Sequence, residues 1–468
     1  MPRVTPPPRQ RVGRVSFFQH HGSWYVYHRH RGKAHRQHVG ANASVAECHA
    51  CLLNARLVAA EAGLSFEKLL AGRCGPASAD PAAPPSPEIP NAITVAELRQ
   101  AFLAHHEHVI ASSLQTVARY RTATLYLESF ARRENLAVAD VPVARFVQHL
   151  RAVEVAPNGH PNTPKRRLRD KGIRYILECC RSMFHFGLRE GMLPRERANP
   201  FTQSGLAGLR VRDAKPVFVF NPQAELAFFS HAKPWAWGVH FLLAKTGLRP
   251  GELVRLLVED LDLAGGWFHV RGKAELGWTT KTHRDRRVPL IPETLSVVQA
   301  VLGGRTRGPL ILRQNLNART CPLLGRDRTA LATEVAARSA AMREQTGRAL
   351  NRTEVAKVCQ GVWRDAGAAE VDRVRTSFIA AAKAAGLSAT CPKSWRHTFA
   401  TLLQEANIDL LVRQETLGHQ PAPGASALGM TAIYTHTTPD VQRREVERAL
   451  RLRPQTLALA ERRGVAGL

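Results

Sequence analysis

Apolar positions recur at helical spacing along most of this chain. From Thr94 to about Asn199 they fall three and four residues apart, as Leu98, Phe102, Tyr175, Ile176, Met183 and Phe184 show. Thr94-Val-Ala-Glu97 supplies a capping box at the start of that region, and Ser44-Val-Ala-Glu47 supplies another ahead of Leu52, Leu53 and Leu57. Further helices are predicted over Ala224–His231, Trp235–Thr246 and Leu410–Leu417, the last with Gly418 as its C′ residue. Strand-like runs are fewer. They occur at Phe17-Phe18, Trp24–Tyr27 and Gln37–Val39, and again between Trp267 and Leu290, where Trp278–Lys281 and Arg286–Leu290 flank a polar turn.

These patterns predict a multidomain, mainly α protein with small β-sheets. Residues 1–74 form a sheet followed by a helix, and the Pro/Ala-rich stretch 75–93 is a linker. A helical domain spans 94–203, a second linker spans 204–216, and an α+β domain occupies 217–468 with an insertion at about 316–370.

Charge narrows the function. The chain of 468 residues carries 66 Lys and Arg against 38 Asp and Glu, a net charge of +28, so it will draw polyanions by counterion release. Residues 1–46 hold no acidic side chain, and eight Arg or Lys between Arg3 and Arg36 are interleaved with the aromatic runs, a DNA-facing pattern. A second basic cluster lies at Lys165, Arg166, Arg167, Arg169, Lys171 and Arg174. No apolar run reaches the roughly 20 residues of a membrane span, and there is no signal-peptide core, which places the protein in the cytoplasm, associated with the nucleoid of a bacterial cell. Eight scattered cysteines fit a reducing compartment. Cys48-His-Ala-Cys51 has metal-like spacing, but no second pair follows, and the two read as small residues on a helix flank.

Candidate chemistry sits in three anchors. In Thr246-Gly-Leu-Arg249-Pro-Gly-Glu252-Leu, Gly247 ends one helix and Pro250 opens the next, which puts Arg249 at a helix N-terminus suited to an oxyanion. In Thr280-Lys281-Thr-His-Arg-Asp-Arg-Arg-Val-Pro-Leu290, Lys281 falls near a hairpin tip. In Lys393-Ser-Trp-Arg396-His-Thr-Phe-Ala-Thr, Ser394 is the expected N-cap and Arg396 lies in the first turn. His419 follows directly in Leu417-Gly-His, as an exposed donor, and Tyr434 in Ile-Tyr-Thr-His. A phenol with pKa near 10 needs a base or a strongly cationic pocket to act as a nucleophile.

Arg249, Lys281, Arg396, His419 and Tyr434, in this order and spacing, resemble the tyrosine recombinase (phage integrase) family. The resemblance covers roughly residues 94–452 and implies a core-DNA-binding domain over 94–203, a catalytic domain over 217–468 and, more loosely, an arm-type DNA-binding domain over 1–74. It implies strand exchange on double-stranded DNA, at a core site with or without arm sites, by a homotetramer passing through a Holliday junction. It requires neither metal nor other cofactor, and accessory bending or directionality proteins are partners that such enzymes use. Tyr434 would attack the scissile phosphate, giving a 3′-phosphotyrosyl enzyme. Arg249 and Arg396 would clamp its oxygens, Lys281 would protonate the 5′-oxygen, and His419 would bond the phosphate.

The chain departs from its relatives in several places. Lys393 stands where most have histidine, and it joins the site with its role open between phosphate contact and proton transfer. The loop from Gln420 to Met430 is longer than usual, as is the separation of Lys281 and Arg396, 396 − 281 = 115 residues. Residues Pro439–Arg453, with Val441, Val446 and Leu450, are expected to dock on a neighbouring protomer or to pack in cis. Mobile-element integration is the favoured task. The alternatives are a chromosome-dimer resolvase, a type IB topoisomerase-like enzyme and a DNA-binding protein without activity.

Overall fold

The computed structural model describes residues 10–20, 22–30, 33–61, 93–156, 163–194, 198–202, 211–212, 216–419 and 437–466. They divide between two compact units, Met1–Asn91 and Ala92–Leu468. The structure is mainly helical with small antiparallel sheets.

In the first unit, β1 (Gln10–Val12), β2 (Val15–His20), β3 (Ser23–His30) and β4 (Lys33–Gly40) form an antiparallel sheet in sequential order, followed by α1 (Ala43–Glu61). Val15, Phe17, Trp24 and Val26 alternate onto one face and pack with Ala46 and Ala50 of α1. The opposite face carries the cross-strand pair Phe18 and Tyr25, with Arg36 stacked 4.2 Å from the Tyr25 ring centre and His38 edge-on to that ring. The cap of α1 differs from expectation: the Asn42 side chain, not Ser44, accepts the first helical N–H groups, because the helix begins a residue before Ser44. Cys48 and Cys51 are exposed on α1, and among the described residues no acidic, His or Cys cluster is arranged to hold a metal.

The second unit opens with the Thr94 capping box and α2 (Val95–Ala104), then a π-turn over His105–Val109, α3 (Leu114–Arg133) and α4 (Val143–Ala152). A two-stranded ribbon follows, β5 (Glu154–Val155) with β6 (Arg166–Arg167), and then α5 (Asp170–Arg189). Leu98, Phe102, Leu127, Phe146, Ile176 and Met183 form their shared core, whereas Tyr175, read as apolar, is 40% exposed.

A larger core gathers α6 (Pro222–His231), α7 (Pro234–Thr246), α8 (Pro250–Leu253) and a three-stranded antiparallel sheet, β7 (Leu261–Asp262), β8 (Trp267–Val270) and β9 (Arg286–Pro289). To these it adds α9 (Pro292–Leu302), whose Val297 and Val298 are fully buried. The expected strand over Trp278–Lys281 does not form. Trp278 instead exchanges backbone hydrogen bonds with Lys273, so β9 pairs directly with β8 and Lys281 lies in a turn. The insertion contributes α10 (Arg328–Thr346) and α11 (Arg352–Asp365), which have a small core of their own around Leu331, Val362 and Trp363. From α11, the Arg352 guanidinium donates to the carbonyls of Glu107, Ala111 and Ser112 beside the π-turn, at 2.8 to 3.1 Å.

The chain closes with α12 (Val371–Ala384), α13 (Lys393–Glu405), α14 (Leu410–Leu417), α15 (Pro439–Leu450) and α16 (Pro454–Ala466). Val446 and Leu450 of α15 and Leu457 of α16 are buried in the larger core, so the C-terminal helices pack in cis. A buried ion pair ties them down: Lys245 on α7 meets Glu225 on α6 at 2.5 Å and donates to Thr456 Oγ1 on α16. No helix among the described residues is long and apolar enough to cross a membrane.

Candidate active site

Arg396 is held by the ends of two helices. The almost wholly apolar α7 stops at Gly247, whose φ of 62° is a left-handed C-cap, and the Gly247 carbonyl accepts Arg396 Nη1 at 2.7 Å. A side chain at Gly247 is excluded, since its Cβ would lie 2.4 Å from Phe399 Cδ1. On the other side α14 stops at Gly418, φ 63°, and the carbonyl of Leu417 accepts Arg396 Nη2. The guanidinium is only 5% exposed and has backbone oxygens, not a carboxylate, as its hydrogen-bond partners. Burial lowers its pKa to about 9, with repulsion from Arg249 and Arg286 adding to the effect, but it stays charged at neutral pH.

Two more guanidiniums share one buried carboxylate. Arg249 caps α8 and donates to Glu252 through its backbone N–H at 2.8 Å and Nη1 at 2.7 Å. Arg286, at the start of β9, donates Nη1 and Nη2 to the same carboxylate at 3.1 and 2.6 Å and Nε to the Thr416 carbonyl at 3.2 Å. Gly418 makes room for it, because a Cβ there would sit 2.9 Å from Arg286 Cδ. Burial pushes the Glu252 carboxyl up, but the hydrogen bonds and charge of Arg286, then of Arg249, outweigh it and leave the pKa lowered. Three cations against one anion leave the cluster positive. It is built to receive an oxyanion.

His419 stands at the rim of this cluster, exposed, its backbone N–H bonded to the Gln414 carbonyl at 2.9 Å. Burial and then the charges of Arg396, Arg249 and Arg286 lower its pKa, so the imidazole is neutral at pH 7. Arg249, Arg396 and His419 are thus brought together. Lys393 is exposed as the first residue of α13, where Pro392 takes the N-cap position expected for Ser394 and Ser394 turns inward. Lys393 also acts on His397 one turn on, whose pKa is lowered by burial, Lys393 and Arg396 in that order.

Lys281 is exposed in the turn between β8 and β9. Thr280 Oγ1 closes that turn on the Arg284 carbonyl at 3.0 Å, His283 adopts φ 52°, and Asp285 accepts the Gly272 N–H at 3.0 Å. Lys273, the other lysine of this stretch, is fully buried and paired with Asp260 at 2.8 Å, which leaves Lys281 as the one that faces solvent. Tyr434 and the whole of the long loop before it lie outside the described residues. Sequence reasoning missed Glu252 and Arg286 as members of the site. Glu252 had a signal in its position three residues after Arg249, whereas nothing in Arg284-Asp-Arg286-Arg287 singles out the middle arginine.

Residues 231–440 match the model of the phage integrase family. Curated relatives include a tyrosine recombinase XerC of Pelobacter propionicus, 29% identical over 42% of this chain and 46% of that protein. The tyrosine recombinase XerA of Pyrococcus furiosus is 28% identical over 44% of this chain and 52% of that protein. The chain therefore aligns with about half the length of the curated relatives it matches. Among solved structures, the Tn1549 transposon integrase in complex with a circular-intermediate DNA aligns with 76% of this chain and 99% of its own at 19% identity and a TM-score of 0.43. A lambda integrase dimer bound to a core site aligns with 91% of this chain and 95% of its own at 16% identity and a TM-score of 0.44. With its arginine cluster lying inside the matched segment, the chain carries a phage integrase family domain over residues 231–440.

Proposed function

We propose that this protein is a site-specific recombinase that cuts and rejoins double-stranded DNA through a phosphotyrosine at Tyr434. The observation that carries this reading is the cluster of Arg249, Arg286 and the buried Arg396 beside the buried carboxylate of Glu252, with neutral His419 at its rim. Such preorganised charge stabilises a phosphorane most where two negative oxygens develop. Arg249 and Arg396 bind the non-bridging oxygens, and His419 donates to one of them. The Tyr434 phenol, made more acidic by the surrounding cations, gives its proton to water as its oxygen forms the new bond to phosphorus and the bond to the 5′-oxygen breaks, and Lys281 delivers a separate proton to that leaving oxygen. The phosphodiester energy is conserved in the protein–DNA bond, and a 5′-hydroxyl of a partner strand reverses the step.

In this reading residues 1–74 are an arm-site domain whose Phe18, Tyr25 and Arg36 face meets DNA, 94–203 bind the core site, and 217–468 perform the chemistry. The enzyme works as a tetramer on a Holliday junction, in the cytoplasm on nucleoid DNA, for a phage or another mobile element, with accessory proteins setting direction.

The test uses duplexes carrying the sequence that the protein enriches from a randomised DNA pool, nicked so that cleavage is irreversible. Wild-type protein should form a covalent adduct and Tyr434→Phe none. An equal adduct in the variant, or none with the wild type, overturns the proposal. Holliday junctions trapped with paired sites would separate a recombinase from a topoisomerase, which relaxes supercoils without a partner duplex.

A further inference from the structure

The inserted helices close on the turn that leads into Lys281. Leu276, 1% exposed, leaves the β8–β9 connection and enters the insertion's own core with Leu331, Cys359, Val362 and Trp363. The Trp363 indole N–H donates to the Leu276 carbonyl at 3.0 Å. Gly277 follows at φ 70°, and a Cβ there would lie 2.8 Å from Cys359 Cβ, so α11 rests directly on the turn. From α10, Arg328 Nε donates to Glu275 at 2.5 Å and Nη2 to the Gly272 carbonyl at 3.3 Å, while its backbone N–H bonds Glu259 at 3.0 Å. Every residue from Gly272 to Trp278 except Ala274 is thus held by a contact of this kind or by the paired backbone of Lys273 and Trp278. Only Thr279 and Thr280 separate that gripped stretch from Lys281, and Thr280 is itself buried.

We infer that the insertion is a brace for the Lys281 loop, with Trp363 and Arg328 as positioning residues for the proton donor; this rests on the role given to Lys281 above. Ordering a loop residue costs about 1–2 kcal/mol of backbone entropy, and a lysine on a free hairpin incurs that cost at each turnover. Here the stretch before it is fixed in the folded state, and the lysine has only its own side chain and a tight turn to order. A helix pair that served only to fill surface would have no reason to spend its buried tryptophan and the Arg328 pairing with Glu275 on this one turn.

The experiment compares single-turnover cleavage of two suicide duplexes, one with the natural 5′-oxygen leaving group and one with bridging sulfur. A thiolate leaves without a proton, because a thiol's pKa of about 8.5 is far below that of an alcohol. Lys281→Ala should slow the oxygen substrate by about 10²–10⁴ and be restored by sulfur. Trp363→Phe, which removes the N–H donor and part of the buried ring, and Arg328→Ala should slow the oxygen substrate by about 10- to 100-fold, the cost of a misplaced group. On the sulfur substrate both should return to wild-type rates, and Arg328→Lys should recover part of the loss on oxygen. Thermal unfolding of each variant reports whether it has folded. If Lys281→Ala is not restored by sulfur, its assigned role is wrong and the brace has nothing to position. If Lys281→Ala is restored but the Trp363 and Arg328 variants are equally slow on both substrates, or as fast as wild type on oxygen, the inference alone is overturned.

Discussion

Replacing Glu252 by Gln removes the carboxylate that, among the described residues, bonds both Arg249 and Arg286, while keeping its shape. The carboxylate, 3% exposed, accepts four hydrogen bonds between 2.6 and 3.1 Å, two from each arginine. Glutamine offers one acceptor oxygen and turns an N–H₂ group toward a guanidinium, so about half the bonds are lost and two cations remain beside a third. Breaking a buried pair of this kind typically costs about 3–5 kcal/mol, and the lower end applies because Arg249 is 26% exposed and can turn to water. Urea unfolding at pH 7 should therefore show a loss near 3 kcal/mol. The acid limb supplies the sign. Because the folded pKa lies below the ordinary value of 4.5, this carboxylate's contribution is present above 4.5 and is lost as pH falls through the folded pKa. Wild-type and variant stabilities should converge below pH 4.5. A difference under about 1 kcal/mol at pH 7, or two parallel curves through that acid window, would refute the assignment of Glu252 as the charge that assembles the site.

Arg396→Lys cannot reach both the Gly247 and Leu417 carbonyls with one ammonium, so single-turnover cleavage should fall about 10²–10³-fold while DNA affinity by filter binding changes little. Gly418→Ala forces a left-handed alanine, at about 1–2 kcal/mol, and drives a Cβ into Arg286. The expected result is a lower unfolding midpoint together with lost cleavage, and full cleavage would contradict it. For His419, whose folded pKa is below 6.5, stability is intact above that value and declines as pH falls below it. Scanning calorimetry of DNA-free protein should show that decline reduced in His419→Gln.

Signals that act locally were legible in the sequence. The span Leu410–Leu417 and its stop at Gly418 follow from a single glycine and emerge with the predicted ends, as does the Thr94 capping box. Where a choice depended on distant partners, the pattern misled. Trp278–Lys281 has strand-forming residues, but its neighbourhood is claimed by the insertion, and Trp278 pairs back to Lys273. Ser394 is a good cap by type, yet Pro392 begins the helix and the serine is buried. Arg286 is one of three arginines in four residues, and only the position of Glu252 and Thr416 in space selects it. The same holds for the C-terminal helices, whose apolar stripes fit a partner as well as their own chain until the Lys245–Glu225 pair and Thr456 are seen together.

The three carbonyl bonds of Arg352 change how the two halves of the second unit can move. The helical core ends at Phe201 and the larger core begins at Phe220, and the chain between them is their covalent joint. Two bodies joined at one point can swing in any direction; fastened at a second point, they turn only about the line through both. Arg352 is that second fastening. In the proposed reaction, moving the two halves further apart means breaking the grip of Arg352 on the end of a helix.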